Sequence, residues 1–213
     1  MKLINLICFL ILFSQNTYTQ EVQTSVANIP NKLLENANAV IRENNISITV
    51  LSDDKMVVNK KEVITILNQN GDLVLDTYLH YGDDTKINDI SLIIFDIYGN
   101  EIEKISKSKF IDINATDGFS LYNDDRVTYV DYTPNMYPYT VVFEYEYKTA
   151  STGLIPTWYP INSFNVAVEN STYTVLNPNN LNIRTKAINF DSYNIIKETS
   201  DGFSYSLKNQ PAI

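Results

Sequence analysis

From Arg42 onward the chain repeats its apolar positions every second residue, the period of a half-buried strand. Ile46, Ile48 and Val50 alternate with Ser47 and Thr49, Asp53-Asp54 makes a corner, and residues 56–67 read as a second strand. Asn70-Gly71 is the strongest hairpin signal in the sequence and predicts a return strand over residues 73–81. Residues 86–98 follow, turned by Gly99-Asn100 into a short strand over 101–105. Further strands are expected over 110–115, 126–132, 164–176, 183–187, 193–198 and 203–207. Residues 140–149 are the best patterned, with Val142, Glu144, Glu146 and Lys148 on one face and Val141, Phe143, Tyr145 and Tyr147 on the other. Residues 155–161 form an extended connection. Before all of this, Pro30 opens a short helix over residues 30–40 with Leu33, Leu34, Ala37 and Val40 on one side. The pattern predicts a mainly all-β protein, an antiparallel β-sandwich with one short N-terminal helix, as a single domain over residues 32–213.

The opening residues follow another rule. Lys2 precedes an apolar run over residues 3–13, of signal-peptide length and too short to span a bilayer. Thr17 and Thr19 occupy the positions before an expected cut at Gln20, leaving a loose segment over 20–31. The protein is therefore expected to be exported, to the periplasm or cell surface, with no membrane span after processing. Cys8, the sole cysteine, lies inside the apolar run, so the mature chain has neither a disulfide nor a thiolate nucleophile. Stability is left to an ordinary core.

Charge narrows the choice of partners. The chain carries 25 acidic against 16 basic residues, a net −9. That balance argues against nucleic acid and against anionic membrane surfaces. The 15 tyrosines favour strands, and Asn takes over many corners where only six glycines are available.

Catalytic parts are scarce. His80 is the single histidine, in a patterned strand, and no Gly-x-Ser-x-Gly turn accompanies it. Glu144 and Glu146 share a strand face roughly 7 Å apart, a spacing that suits two acids around a glycosidic bond but equally a solvent-facing stripe. Asp117, Asn123, Asp124 and Asp125 gather oxygen ligands without the regular spacing of a calcium loop. Asn114 and Asn170 begin glycosylation-type triplets. We therefore expect no catalytic residue, no cofactor and no metal. The aromatic segments suggest a binding surface for peptide or glycan, or a plug between sheets. Its candidate residues are Trp158, Tyr159, Tyr137, Tyr139, Phe119, Tyr122, Asp124, Asp125 and Arg126.

Several short motifs carry a family likeness. They are Asn36-Ala37-Asn38-Ala39-Val40-Ile41-Arg42, Val63-Ile64-Thr65-Ile66-Leu67-Asn68 and Tyr98-Gly99-Asn100-Glu101-Ile102. Asp117-Gly118-Phe119-Ser120-Leu121-Tyr122 with Asp124-Asp125-Arg126 comes next, then Tyr137-Pro138-Tyr139-Thr140-Val141 and Pro156-Thr157-Trp158-Tyr159-Pro160. In order and spacing the chain resembles the uncharacterised β-rich N-terminal domain, a domain of unknown function, of large exported proteins from Bacteroidetes-type bacteria. In those proteins a transglutaminase-like domain follows. The resemblance implies a β-sandwich without activity of its own, with the catalytic Cys, His and Asp in the following domain. Gln210-Pro211-Ala212-Ile213 falls about where the linker to that domain begins, so a truncated or isolated module is expected.

Overall fold

The computed structural model describes residues 24–115, 125–198 and 202–213. The apolar leader with Cys8 and most of the 117–125 loop lie outside these residues. In chain order the strands are β1 (Ala39–Ser52), β2 (Lys55–Ile66), β3 (Tyr78–Tyr81), β4 (Thr85–Phe95), β5 (Glu101–Ser106) and β6 (Ile111–Asn114). They continue as β7 (Arg126–Tyr129), β8 (Tyr139–Thr149), β9 (Val166–Leu176), β10 (Ile196–Glu198) and β11 (Gly202–Gln210). Eight of them form one sheet in the order β10-β11-β9-β1-β2-β8-β4-β5, and β3-β7-β6 form a second. This is the expected all-β, sandwich-like architecture, with one departure from antiparallel pairing. β1 and β9 run parallel, Ala39 beside Val166 and Thr49 beside Leu176.

Strand alternation sorts the large sheet into two faces. On the inner face Ala39, Ile41, Ile64, Ile66, Val141, Phe143, Ile90, Leu92 and Ile94 meet Leu79 and Val130 from the small sheet. Farther along the same face, Ile48, Val50, Met56, Val58, Tyr173, Val175 and Leu207 form a second core. Among the described residues no strand covers that one. Its lid is made of irregular chain, with Trp158, Ile161, Leu181, Ile183, Phe190 and Tyr193 packed down onto it. Between the two cores a polar row crosses the sheet: Ser171 beside Asn44, and Asn44 beside Glu62. All three are buried.

At one end of the outer face the N-terminal segment covers the sheet. The helix α1 (Asn31–Leu34) places Leu33 with Ile29 against Val40 and Ala167. Arg42, buried on this side, pairs with Glu169 at 2.6 Å and donates to the Ser25 carbonyl at 3.2 Å. The helix is shorter than the 30–40 segment predicted. Asn36 takes a left-handed φ of 57°, and from Ala39 the chain enters β1. Ala39 and Val40 thus fit the helical period while serving the sheet, because tertiary burial overrides a weak local preference.

The Asn70-Gly71 hairpin is also corrected. Residues Gln69–Val74 form a 3-10 turn, with the Asn68 side chain accepting from the Asn70 N–H at 3.0 Å. Gly71 is needed for close approach: a Cβ there would sit 2.3 Å from the Asn38 carbonyl oxygen. β2 therefore pairs with β8, and the return strand shrinks to β3. Residues 183–187 are irregular and not a strand.

Candidate binding groove

Alternation on β9 and β11 points Tyr173, Phe203 and Tyr205 to the inner face. Trp158, from the connection after β8, lies among them. Its ring stacks near-parallel to Tyr173 at 6.1 Å and to Tyr205 at 6.2 Å. Phe190 meets it edge-on at 6.1 Å and meets Tyr205 edge-on at 5.0 Å. Such offset and edge-to-face geometries are favoured by the ring quadrupoles. The polar ends are satisfied inside: the indole N–H donates to Ser171 Oγ at 2.9 Å, and the Tyr173 hydroxyl donates to the Pro156 carbonyl at 2.7 Å. Burial pushes the Tyr173 phenol up to about 12.

Above this floor an open groove of about 790 Å³ runs between residues 155–164 and 183–195, reaching Ile213. Its volume falls in the range of ligand-binding clefts. Its rim exposes large apolar side chains, Tyr159 at 69%, Phe164 at 78% and Ile188 at 65%. Single exposed hydrophobics are common on protein surfaces, but several around one aromatic cleft mark an interaction site.

The residues expected to form one surface lie in three places. Trp158 is only 8% exposed and forms the groove floor, while Tyr159 stands on the rim. Tyr139 belongs to the other core and the exposed Tyr137 ring lies beside it, both hydroxyls donating to the Asp72 carboxylate, Tyr139 at 2.8 Å. Tyr139 is 2% exposed and has no ring face on the surface. That hydrogen bond and the charge of Asp72 raise the Tyr137 phenol to about 12. Arg126 lies on the small sheet, bonded to Asp112 at 2.8 Å, Asn114 at 2.8 Å and the Tyr81 hydroxyl at 3.0 Å. Asp125 is beside it, its carbonyl accepting from the Ala115 N–H at 2.8 Å. Phe119, Tyr122 and Asp124 fall outside the described residues. Glu144 and Glu146 lie on the outer face, near Lys61 at 3.9 Å and bonded to Asn88 at 2.5 Å respectively. His80 is exposed and meets Tyr78 edge-on at 5.3 Å. Among the described residues no group of three His, Cys, Asp or Glu could hold a metal ion. No helix among them is long and apolar enough to cross a membrane. Sequence reasoning missed Tyr173, Phe190, Phe203 and Tyr205. Tyr173, Phe203 and Tyr205 lie on predicted strands and Phe190 between two of them, but no local period shows that they gather around Trp158.

The family model described as a domain of unknown function with solved structure, DUF3857, matches residues 52–213. The chain belongs to the DUF3857 family. No curated protein matches it. Among solved structures, a protein named a putative protease from Parabacteroides distasonis shares the fold at TM-score 0.56 and 15% identity. The match covers 83% of this chain and 36% of the other, so the DUF3857 chain spans about a third of that protein's length. A protein named a putative nutrient binding protein from Legionella pneumophila matches at TM-score 0.35 and 9% identity, over 82% of this chain and 64% of its own. The M1 zinc metallopeptidase of Deinococcus radiodurans (an E323A mutant) matches at TM-score 0.30 and 8% identity, over 81% and 39%.

Proposed function

We propose that this chain is a non-catalytic, exported β-sandwich module whose groove packs against a transglutaminase-like domain that follows it in longer relatives. The observation that carries the reading is the place of Ile213. Its carbonyl accepts from the Asn165 N–H at 2.9 Å and the residue lines the groove. A polypeptide continuing past it would start on the exposed apolar rim. A partner delivered there by covalent linkage meets the groove at high effective concentration. The fold shared with part of a longer protein named a protease supports such a modular setting.

In a polypeptide extended past residue 213 by such a domain, hydroxyl-radical footprinting is expected to show Tyr159 and Phe164 protected relative to the chain alone. Equal labelling in the two would overturn the docking assignment. Separately, peptide hydrolysis or cross-linking by the isolated chain would end the non-catalytic reading. A stand-alone module for peptide or glycan is the second reading, favoured by the same exposed Tyr159, Phe164 and Ile188.

A further inference from the structure

We infer that the groove selects an acidic, apolar polypeptide segment, with Arg184 and Lys186 as the residues that read its carboxylates. The inference rests on the groove being a docking surface and adds the chemistry of what docks. The chain holds 25 acidic residues, yet no Asp or Glu lines the groove, whereas Arg184 and Lys186 both do. Both belong to the exposed stretch 184–189, and among the described residues neither pairs with an acid.

In the open groove the two cations are hydrated at no penalty. Once an apolar segment fills the cleft, a guanidinium and an ammonium lose water beside it. A carboxylate on the occupant restores their partners, and a guanidinium holds it in a bidentate fork. A basic occupant would meet like charge, so the pair rejects as well as selects. The choice of peptide over sugar follows from the floor. Trp158 is only 8% exposed among Tyr173, Tyr205 and Phe190, leaving little indole face open on which a pyranose could stack. Ile183, Ile188 and Ile195 add branched aliphatic walls suited to side chains, not to hydroxyls.

The test is selection from a phage-displayed heptapeptide library on the immobilised chain, then anisotropy titration of the selected peptides. Selected peptides are expected to combine aromatic or branched apolar residues with Asp or Glu. Replacing those acids by Asn or Gln is expected to weaken binding about tenfold, the effect of one to two partly exposed ion pairs. A double variant, Arg184→Glu with Lys186→Glu, keeps the fold because both side chains are exposed, checked by the near-ultraviolet signal of Trp158. It should select basic peptides instead. Binding lost in Phe164→Ser with Ile188→Ser, but with no acid preference and no response to the charge variant, would sink this inference and leave the groove as a docking surface. Binding untouched by Phe164→Ser with Ile188→Ser would sink the docking surface itself. No enriched peptide, binding of oligogalacturonate in place of peptide, or a concentration-dependent dimer filling the groove would each overturn the inference.

Discussion

Trp158 ties three parts of the molecule together, and its hydrogen bond is the most exposed to disturbance. The indole N–H is buried with Ser171 Oγ as its acceptor. In Ser171→Ala the donor stays buried without a partner, at about 1–3 kcal/mol. In Trp158→Phe the donor itself is gone, so adding Ser171→Ala to that variant should have a much smaller effect. A double-mutant cycle from urea midpoints measures the difference, and additive losses would contradict the coupling. The tyrosines make a second prediction, about pH. Burial lifts Tyr147 and Tyr173 to about 12, and Asp72 lifts Tyr137 as far. Tyr139 and Tyr145 are raised further, mainly by burial. An unfolded chain titrates its phenols near 10, so it releases protons first. The phenols' contribution to stability is thus constant below about pH 10 and is lost as pH climbs through about 12. The buried phenols should therefore ionise together with loss of the sheet's circular dichroism, in one steep alkaline step. Ionisation of all the phenols with the sheet signal intact would contradict it.

For single elements, backbone geometry sets what the sequence could reveal. Strands such as β8 were legible because each has one dry and one wetter face, as Val141 and Phe143 against Glu144 and Glu146 show. The start of β1 was hidden because Ala37 and Val40 suit a helix as well as a sheet. The parallel partnership of β1 with β9 joins residues 127 positions apart, Ala39 with Val166, which no local period encodes. Residues 183–187 alternate like a strand, but Leu181 and Ile183 pack onto the second core while Arg184 and its neighbours remain exposed. The groove was invisible for the same reason: its floor and walls come from separate stretches. Gly202, at the start of β11, tests the role of local geometry. Its φ is +146°, and a Cβ would lie 1.9 Å from the Val175 carbonyl oxygen. Gly202→Ala should therefore cost about 1–3 kcal/mol, by strain at a glycine-specific backbone and displacement of β11. Because Phe203 and Tyr205 follow on that strand, the Trp158 near-ultraviolet signal should change with it. A denaturation midpoint equal to the parent's would show that β11 shifts freely.

Taken whole, the molecule has two apolar cores on one sheet face, divided by a polar row whose members pull in different directions. Lys60 and Glu62 share the inner face of β2, their charges 3.1 Å apart and their side chains 17% and 9% exposed. Next to them, Asn44 Oδ1 is buried and finds no donor among the described residues. An apolar residue at each position would merge the cores, so the row is a stability sacrifice in exchange for register. A one-residue slip of β1 against β2 would set Asn44 opposite Val63 or Lys61 in place of Glu62 and turn one strand's inward residues to the other face. Glu62→Leu alone removes the carboxylate and leaves the Lys60 ammonium in a mostly dry place, at about 1–3 kcal/mol given the water it still reaches. Lys60→Met together with Glu62→Leu removes both charges and both desolvation penalties. That variant is expected to lie between parent stability and about 4 kcal/mol above it. Urea unfolding of the parent, the single and the double variant measures both effects. If the double variant loses as much as the single, the pair contributes net attraction, and the case for register would fail with it. If it gains stability but shows broadened amide resonances along β1 and β2, the polar row is what holds these two strands in a single alignment.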